Sequence, residues 1–244
     1  MPTKLAKPKY RRILLKLSGE ALQGDHLFGI DANKIARVAQ EMIPVLQLGV
    51  QIALVVGGGN LVRGAELCPG GIDRIAADQM GMLATVINGL ALRDAFQRRG
   101  ISTILMSAFG IPSIADQYDR SRAQDILKQG NVLILAAGTG NPLVTTDSAA
   151  ALRGIEIGAE VVLKATKVDG VFDDDPIKNP KAERYQILSY DEVISKRLGV
   201  MDLTAVLLCQ EQRLPLRVFN MNKSGALKRI MLGDDIGTLI QAGE

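Results

Sequence analysis

Three apolar segments of this chain each lead into a turn of small residues and then toward a helical pattern. They are residues 13–17 before Ser18-Gly19, 52–56 before Gly57-Gly58-Gly59-Asn60, and 132–137 before Gly138 and Gly140. Short, continuous apolar runs are typical of parallel strands covered on both faces. Because parallel strands end at one common edge of a sheet, these turns should converge there. The convergence predicts a large phosphate-bearing ligand, or two such ligands, at that edge.

The third turn continues into a segment of hydroxyl and carboxylate side chains. Thr145, Thr146 and Asp147 are residue types that cap helices, and they precede a helical run over residues 148–157. Free N–H groups at such a helix start, together with two hydroxyls, would bind an anion. Taken alone, the segment is equally consistent with an ordinary capped helix after a turn.

Strands alternate with helices along the whole chain. Further strands are predicted at residues 101–107, 161–164, 216–219 and 238–241, and further helices at 32–48, 72–99, 118–129, 193–196, 205–212 and 225–232. This order predicts an α/β fold, a three-layer α/β/α sandwich with a mostly parallel central sheet. Pro44 is expected to kink or break the first helix, and the proline-containing loop 167–181 to mark a division into two lobes.

The long predicted helix over residues 72–99 carries a stripe of small residues. Ala77, Gly81, Thr85 and Gly89 recur every four positions, a spacing that lets another helix approach closely. Packing inside the chain and contact between subunits explain this stripe equally well. Asp78 is expected to face a different side of the same helix from this stripe and, as a lone acid, to be solvated.

Composition excludes several classes of function. A net charge of +3, from 29 basic and 26 acidic residues, with 4% aromatic residues, does not indicate nucleic-acid binding. Two cysteines favour a reducing cytoplasm over a disulfide-stabilised fold. No apolar run of the length that spans a membrane is apparent, and the basic N-terminus is expected to be a frayed tail rather than a signal peptide. The single histidine, His26, rules out a His-based metal cluster.

The common nucleotide-binding motifs are missing. The chain has no G-x-x-x-x-G-K-[ST], and its first turn lacks G-x-G-x-x-G, so a P-loop protein is excluded and a dehydrogenase is weakly supported. What remains is a set of anion-binding turns with Lys16 and Lys164 at strand ends, Arg63, and one acid, Asp147. That set suits phosphoryl transfer, in which catalysis is mainly positioning and charge neutralisation.

Six segments together resemble the bacterial uridylate kinases of the amino acid kinase superfamily. They read ILLKLSGEAL, GGGNLVRGA, DQMGMLATVINGLALRDA, AGTGNPLVTTDSAA, LKATKVDGVFDDDP and RVFNMN. The resemblance covers residues 9–240. It implies one carbamate kinase-like domain over residues 1–244, with a UMP-binding lobe at about 9–165 and an ATP-binding lobe at about 166–244.

The resemblance also implies a reaction and its site. ATP and UMP would give ADP and UDP, with Mg²⁺ held mainly by the substrate phosphates, in the synthesis of pyrimidine nucleotides such as CTP. Lys16 and Lys164 would stabilise the transferred phosphoryl group and Asp147 would orient them or help to place Mg²⁺ through water. ATP would contact Lys16, Leu17, Ser18, Gly19, Gly59, Arg63, Thr166, Phe172 and Asp175. UMP would contact Gly58, Asp78, Thr139, Gly140, Asn141, Pro142, Leu143, Val144, Thr145 and Thr146.

Regulation and assembly follow from the same resemblance. The family implies a homohexamer built from dimers, activated by GTP and inhibited by UTP, and the long helix is the candidate dimer contact. The GTP response would involve Gly24, Asp25, His26, Leu27, Phe28 and Gly29. Gln97, Ile104 and Asn131 stand where some members carry basic residues, which puts that response in question. The matching acid Asp202 receives no role.

Two other functions stay open. Kinases of acetylglutamate, aspartate, glutamate and carbamate share the phosphate-binding turns, although the segments expected to contact UMP argue against them. A nucleotide-sensing regulatory protein without turnover is the alternative from another class. Both lysines and Asp147 are present, so no sequence feature indicates a disabled enzyme.

Overall fold

The computed structural model describes residues 7–243, so part of the predicted N-terminal tail, residues 1–6, lies outside the described residues. The strands are β1 (Arg12–Leu17), β2 (Gln51–Val56), β3 (Thr103–Ser107), β4 (Asp116–Gln117), β5 (Val132–Ala136), β6 (Val161–Thr166), β7 (Ile187–Ser189), β8 (Leu216–Asn220) and β9 (Thr238–Gln241). The helices are α1 (Ala32–Leu46), α2 (Gly64–Leu67), α3 (Arg74–Gln97), α4 (Arg120–Lys128), α5 (Thr146–Ile157), α6 (Tyr190–Ser195), α7 (Leu203–Glu211) and α8 (Ala226–Met231).

Within residues 7–243 the strands form one sheet in the order β4-β3-β5-β2-β1-β6-β8-β9-β7. Each described pair of neighbours is parallel except β8 and β9, which run antiparallel. β1 and β2 therefore lie at the centre, and the three small-residue turns meet at one edge. The predicted mostly parallel sheet is confirmed.

Helices cover both faces of this sheet and divide the core in two. Alternate residues of β1 separate the layers: Ile13 and Leu15 pack with α1, α3 and α8, whereas Leu14 packs with α4, α5, α6 and α7. Strands buried on both faces need apolar residues at successive positions, which explains the continuous apolar runs in the sequence. The predicted three-layer α/β/α sandwich is confirmed.

Pro44 does not break the first helix. α1 begins at the side-chain cap of Asp31 and continues through Pro44 to Leu46, where the Gln47 N–H still donates to the Ile43 carbonyl at 3.0 Å. The prediction of a break is wrong because a proline so close to the helix end removes one hydrogen bond without interrupting a long run of them.

The stripe of small residues on α3 packs inside the chain. A Cβ at Gly89 would lie 2.8 Å from Leu105 of β3, and one at Gly58 would lie 2.6 Å from the Gly81 carbonyl. Ala77 and Thr85 are buried on the same side. Packing of the helix on the sheet and on the β2 turn accounts for Ala77, Thr85 and Gly89, whereas a Cβ at Gly81 would meet nothing within 4 Å. A subunit contact through this stripe stays a prediction.

By length and composition alone, α3 could cross a membrane, contrary to the expectation from the sequence. Within the fold it packs on the sheet through residues that include Leu92 and Phe96, both fully buried. Its outward side also carries large apolar residues that are about 40–50% exposed, namely Ile75, Met80, Leu83 and Ile87.

Candidate functional site

Two lysines from adjacent strands bracket one carboxylate at the edge where the turns converge. Lys16 of β1 and Lys164 of β6 are partners in the parallel register, so both side chains leave the sheet on the same face. Asp147, in the first turn of α5, places Oδ1 2.7 Å from Lys16 Nζ and Oδ2 2.7 Å from Lys164 Nζ. Lys164 Nζ also donates to the Val200 carbonyl at 2.6 Å.

These three side chains are 16% exposed or less, so their charges act with little screening by water. Burial lowers the pKa of the Lys164 ammonium, the negative charge of Asp147 opposes that shift, and Lys16 adds to it. Lys164 Nζ donates a hydrogen bond to Asp147 Oδ2, whereas the Lys16 contact with Oδ1 is an ion pair without hydrogen-bond geometry. Two cations against one anion leave a surplus of positive charge for a phosphate group.

The start of α5 is fixed by Thr145 and Asp202. Thr145 Oγ1 caps the helix by accepting hydrogen bonds from the N–H groups of Asp147 at 3.1 Å and Ser148 at 3.2 Å. Asp202, which caps α7, accepts hydrogen bonds from the hydroxyls of Thr145 and Ser148. Burial alone would raise the pKa of Asp202, but the hydrogen bonds from Thr145, Ala205 and Ser148 outweigh it and lower the pKa. Asp202 therefore holds the helix start that presents Asp147, a role that sequence reasoning left open.

The first two glycine turns are interlocked. A Cβ at Gly19 would lie 2.5 Å from Asn60 Oδ1 and 2.8 Å from the Gly57 carbonyl. Asn60 in turn exchanges side-chain amide hydrogen bonds with Asn88 of α3, at 3.0 and 2.6 Å. Glycine is required at position 19 because two backbone segments pass each other there.

A cavity of about 630 Å³ opens beside Lys16 and Lys164 and is called the lysine cavity below. Ser18 and Thr166 contribute hydroxyl groups to its wall. Among the described residues, the cationic side chains that line it are Lys16, Lys34, Arg37, Lys164 and Lys167, and the acidic ones are Glu20, Asp25 and Glu41. Five cations against three carboxylates leave the wall net positive, which suits a negatively charged ligand.

A second cavity of about 280 Å³ lies at the same edge and is called the Asp78 cavity below. The residues of the predicted UMP site that line it are Gly58, Asp78, Asn141, Leu143, Val144, Thr145 and Thr146. Thr139, Gly140 and Pro142 belong to the same loop but do not line the cavity. Most of the predicted UMP residues are thus brought together in one place.

Asp78 is anchored rather than freely solvated. Its carboxylate accepts hydrogen bonds from Arg74 Nε at 3.0 Å and from the Leu143 N–H at 2.9 Å. Burial raises its pKa, but these hydrogen bonds outweigh burial and the pKa lies below its ordinary value. Asp78 therefore stays ionised near neutral pH and holds the loop that follows β5.

Several predicted ATP residues do not line the lysine cavity. Leu17 and Gly19 are buried under the first turn. Gly59 lines the Asp78 cavity instead, and the exposed Arg63 forms an ion pair with Glu20 at 2.7 Å. Two further residues, Phe172 and Asp175, lie in the loop after β6 and line neither cavity.

The predicted GTP loop borders the lysine cavity. Gly24 and Asp25 line its wall, whereas His26 is exposed. Leu27 and Phe28 at the loop tip are 97% and 78% exposed. Gly29 anchors the end of the loop by hydrogen bonds with Asn60, at 2.8 Å in each direction.

Sequence reasoning missed four cationic residues of these walls. Lys34 and Arg37 of α1 line the lysine cavity, as does Lys167 directly after β6. Arg74 lines the Asp78 cavity while donating to Asp78. The available signal was the spacing of three between Lys34 and Arg37, which places both on one face of a helix that begins directly after the GTP loop.

Comparison with known proteins agrees with this architecture. The sequence profile described as "Amino acid kinase family" matches residues 11–220. A uridylate kinase from Alcanivorax borkumensis is 59% identical over 100% of this chain and 97% of that protein. One from Pseudomonas aeruginosa is 58% identical over 97% of both.

Solved structures give the same result. A UMP kinase from Bacillus anthracis superposes with a TM-score of 0.93 at 37% identity, covering 96% of this chain and 97% of that one. Sequence and structure thus agree over nearly the full length. The chain therefore belongs to the amino acid kinase family, within its uridylate kinases.

Proposed function

We propose that the protein transfers the γ-phosphoryl group of ATP to UMP, giving ADP and UDP. The observation that carries the proposal is the cluster of Lys16, Lys164 and Asp147. Its two lysines line the lysine cavity, and Asp147 directly follows Thr145 and Thr146, which line the Asp78 cavity. The lysine cavity would take ATP. The Asp78 cavity would take the acceptor, because it is smaller and is built largely from backbone turns and hydroxyl groups.

The acceptor assignments rest on the loop that follows β5. Asp78 would bind the ribose of UMP, while the start of α5 and the glycine turns would hold its phosphate. Gly58 leaves no room for a side chain against α3, so the backbone itself forms that wall. Thr139, Gly140 and Pro142 would contribute by shaping the loop or by moving inward when the ligand binds.

The donor assignments rest on the lysine cavity. Residues 16–19 would hold the ATP phosphates, and Thr166 would contact the nucleoside together with Phe172 and Asp175. The last two residues would have to approach the cavity when ATP binds, since they lie outside its wall. An ATP-binding lobe over about residues 166–244 and a UMP-binding lobe over about 9–165 would then share one continuous sheet.

Charge neutralisation would be the main catalytic effect. Lys16 and Lys164 would both donate hydrogen bonds to oxygens of the phosphoryl group as negative charge spreads over it. Asp147 would hold the two ammonium groups in register, and the Val200 carbonyl would fix the rotamer of Lys164. The acceptor is a phosphate oxygen that is already ionised, so the chain needs no general base.

The residues present fit a divalent ion that is carried by the nucleotide. Among the residues that the structure describes, no cluster of three or more His, Cys, Asp or Glu side chains could hold a metal. Both oxygens of Asp147 already contact lysines, so this carboxylate would assist Mg²⁺ only through water. Mg²⁺ on the ATP phosphates would supply further charge neutralisation, consistent with its preference for phosphate and water ligands.

A coupled assay of ADP release tests the proposal. ATP and Mg²⁺ would be offered with UMP, CMP, dUMP, acetylglutamate or aspartate in parallel, with a reaction lacking any acceptor as the control. Turnover with UMP and not with the carboxylates is expected. Turnover with a carboxylate would preserve the ATP assignments and overturn those in the Asp78 cavity. Nucleotide binding without turnover would favour the regulatory alternative.

Regulation and assembly complete the proposal. GTP would activate and UTP would inhibit a cytoplasmic homohexamer, with residues 24–29 involved in the GTP response. The side of α3 that carries Met80, Leu83 and Ile87 would form the dimer contact in place of the small-residue stripe. Light scattering of a Leu83→Glu, Ile87→Glu variant should then show a smaller assembly, and an unchanged mass would refute this contact.

A further inference from the structure

Two residues of the loop after β5 adopt left-handed backbone conformations without being glycine. Ala137 has a φ of 58° and Leu143 a φ of 66°. Such conformations are disfavoured for residues with a Cβ, so the surrounding structure has to hold them. Both residues lie in the stretch that borders the Asp78 cavity, and Gly138 and Gly140 between them also have positive φ values.

Each of these two residues is held by a side chain from α3. The Ala137 N–H donates to Thr85 Oγ1 at 2.7 Å, and the Leu143 N–H donates to Asp78 Oδ2 at 2.9 Å. Asp78 and Thr85 are seven residues apart, about two helical turns, so they lie on the same face of α3. The expectation that Asp78 faces a different side from the small-residue stripe is therefore wrong. One helix face thus fixes both ends of the loop.

The Thr85 side chain is held in a single orientation for this contact. It is 5% exposed, and its hydroxyl donates to the Met82 carbonyl at 2.7 Å, which leaves its oxygen lone pairs directed toward Ala137. The helix lies directly against the β2 turn, since a Cβ at Gly58 would lie 2.6 Å from the Gly81 carbonyl oxygen and 2.9 Å from the Ala84 Cβ. The hydroxyl therefore sets where the loop leaves β5.

We infer that Thr85 is a positioning residue for the acceptor substrate, acting through the Ala137–Gly138 turn. Thr85 also lines the Asp78 cavity, but its hydroxyl is already engaged with the Met82 carbonyl and the Ala137 N–H. This inference rests on the proposed function, since it assigns the Asp78 cavity to the acceptor. Loss of the Thr85 hydroxyl leaves the Ala137 N–H buried without its acceptor and frees the loop to relax out of the left-handed conformation. The acceptor site then loses its shape while the lysine cavity on the other side of the turns is unchanged.

Steady-state kinetics of Thr85→Val and Thr85→Ser test the inference. Thr85→Val keeps the side-chain shape but removes the hydroxyl, and KM for UMP should rise about tenfold, the size expected when a buried donor loses its partner. KM for ATP should change less than about twofold. Thr85→Ser retains the hydroxyl and should restore KM for UMP to within about threefold of the parent value.

Thr103→Val is the matched control. Thr103 is similarly buried, but its hydroxyl donates to the Ile101 carbonyl and it lines neither cavity. Its substitution should leave both KM values unchanged. Should Thr85→Val fail to fold, Thr85→Ala removes the same hydroxyl with less bulk and is read in the same way.

The outcomes separate the two proposals. Absence of UMP turnover by the parent protein would refute the proposed function, and this is read first. With the parent active, an unchanged KM for UMP in both hydroxyl-deficient variants would overturn the positioning role. Equal rises of both KM values, or failure of Thr85→Ser to rescue, would also overturn it, because a merely structural residue would behave in that way.

Discussion

The two cavities at the edge of the sheet are built by different physical means. The lysine cavity is lined by five long cationic side chains, four of them from β1, α1 and β6, which outnumber the three carboxylates of the same wall. The Asp78 cavity is walled by glycine turns and by a backbone loop that α3 holds in place. We therefore expect one side to select its ligand mainly by charge and the other mainly by shape.

The largest effect is expected from removing charge at the point of transfer. Lys16→Met should lower kcat by about 10³-fold, because one preorganised donor to the transferred group is lost in a site with little water. Thermal unfolding should remain cooperative. Lys128→Met, at an exposed lysine of α4, is the matched control and should retain full activity. A Lys16→Met variant with most of its activity would show that charge at this position is dispensable.

The next largest effect is expected in the Asp78 cavity, where shape is expected to matter most. Asp78→Asn weakens the hydrogen bonds to Arg74 and to the Leu143 N–H, and it removes the charge that would bind the ribose. KM for UMP should rise about 10- to 30-fold and KM for ATP about twofold or less. Asp94→Asn changes an exposed acid on the same helix, paired with Arg98, and should change neither value. Equal changes of both KM values would contradict the division between the two cavities.

The pH dependence of kcat/KM tests whether the lysine cavity depends on the charge of Lys164. Burial lowers the pKa of Lys164 below its ordinary value of 10.5, so the ammonium loses its proton as pH rises through that lowered value. Above it the neutral amine neutralises no phosphate charge, and kcat/KM should fall several-fold on an alkaline limb that begins below pH 10.5. In Lys164→Arg the remaining activity should lose this limb, because a guanidinium stays protonated. The same limb in both proteins would assign it to another group.

The smallest effect is expected at Arg63, an exposed residue that contacts the walls of both cavities. Arg63 contacts both sides, since its Nε donates to the Gly59 carbonyl at 3.2 Å and its Nη2 to Glu20 at 2.7 Å. Arg63→Ala should raise KM for ATP only about threefold, because an exposed ion pair contributes little free energy. Arg98→Ala, at another exposed and paired arginine, is the control. A change above about thirtyfold would mean that Arg63 binds phosphate more directly than its present contacts indicate.

Periodicity and turn composition predict much of the fold. The apolar runs of β1, β2 and β5 are recognisable because strands buried on both faces need apolar residues at successive positions. The edge strand β4 escapes prediction because a two-residue strand with exposed Asp116 and Gln117 carries no hydrophobic pattern. Pro44 misleads because the sequence does not show how near a proline lies to the end of its helix.

Site residues can be predicted from the sequence where a residue type is unfavourable at its position unless it binds a ligand. Lysines at strand ends are costly without an anion, so Lys16 and Lys164 stand out in the sequence itself. Asp202 and Thr85 do not stand out because their partners, Thr145 and Ala137, are distant in sequence and pair with them only through the fold. Asp78 requires the family resemblance, since an acid on a helix usually faces solvent.

The pairing of β1 with β6 restricts how this sequence can change in length. Lys16 lies opposite Lys164 only in the present register, and successive side chains of a strand point to opposite faces. After a single-residue insertion or deletion within either strand, one lysine side chain would point to the opposite face of the sheet, toward the layer of α1, α3 and α8. Insertions in this family are therefore expected in the loops, and the two lysine-bearing strands should keep a fixed length.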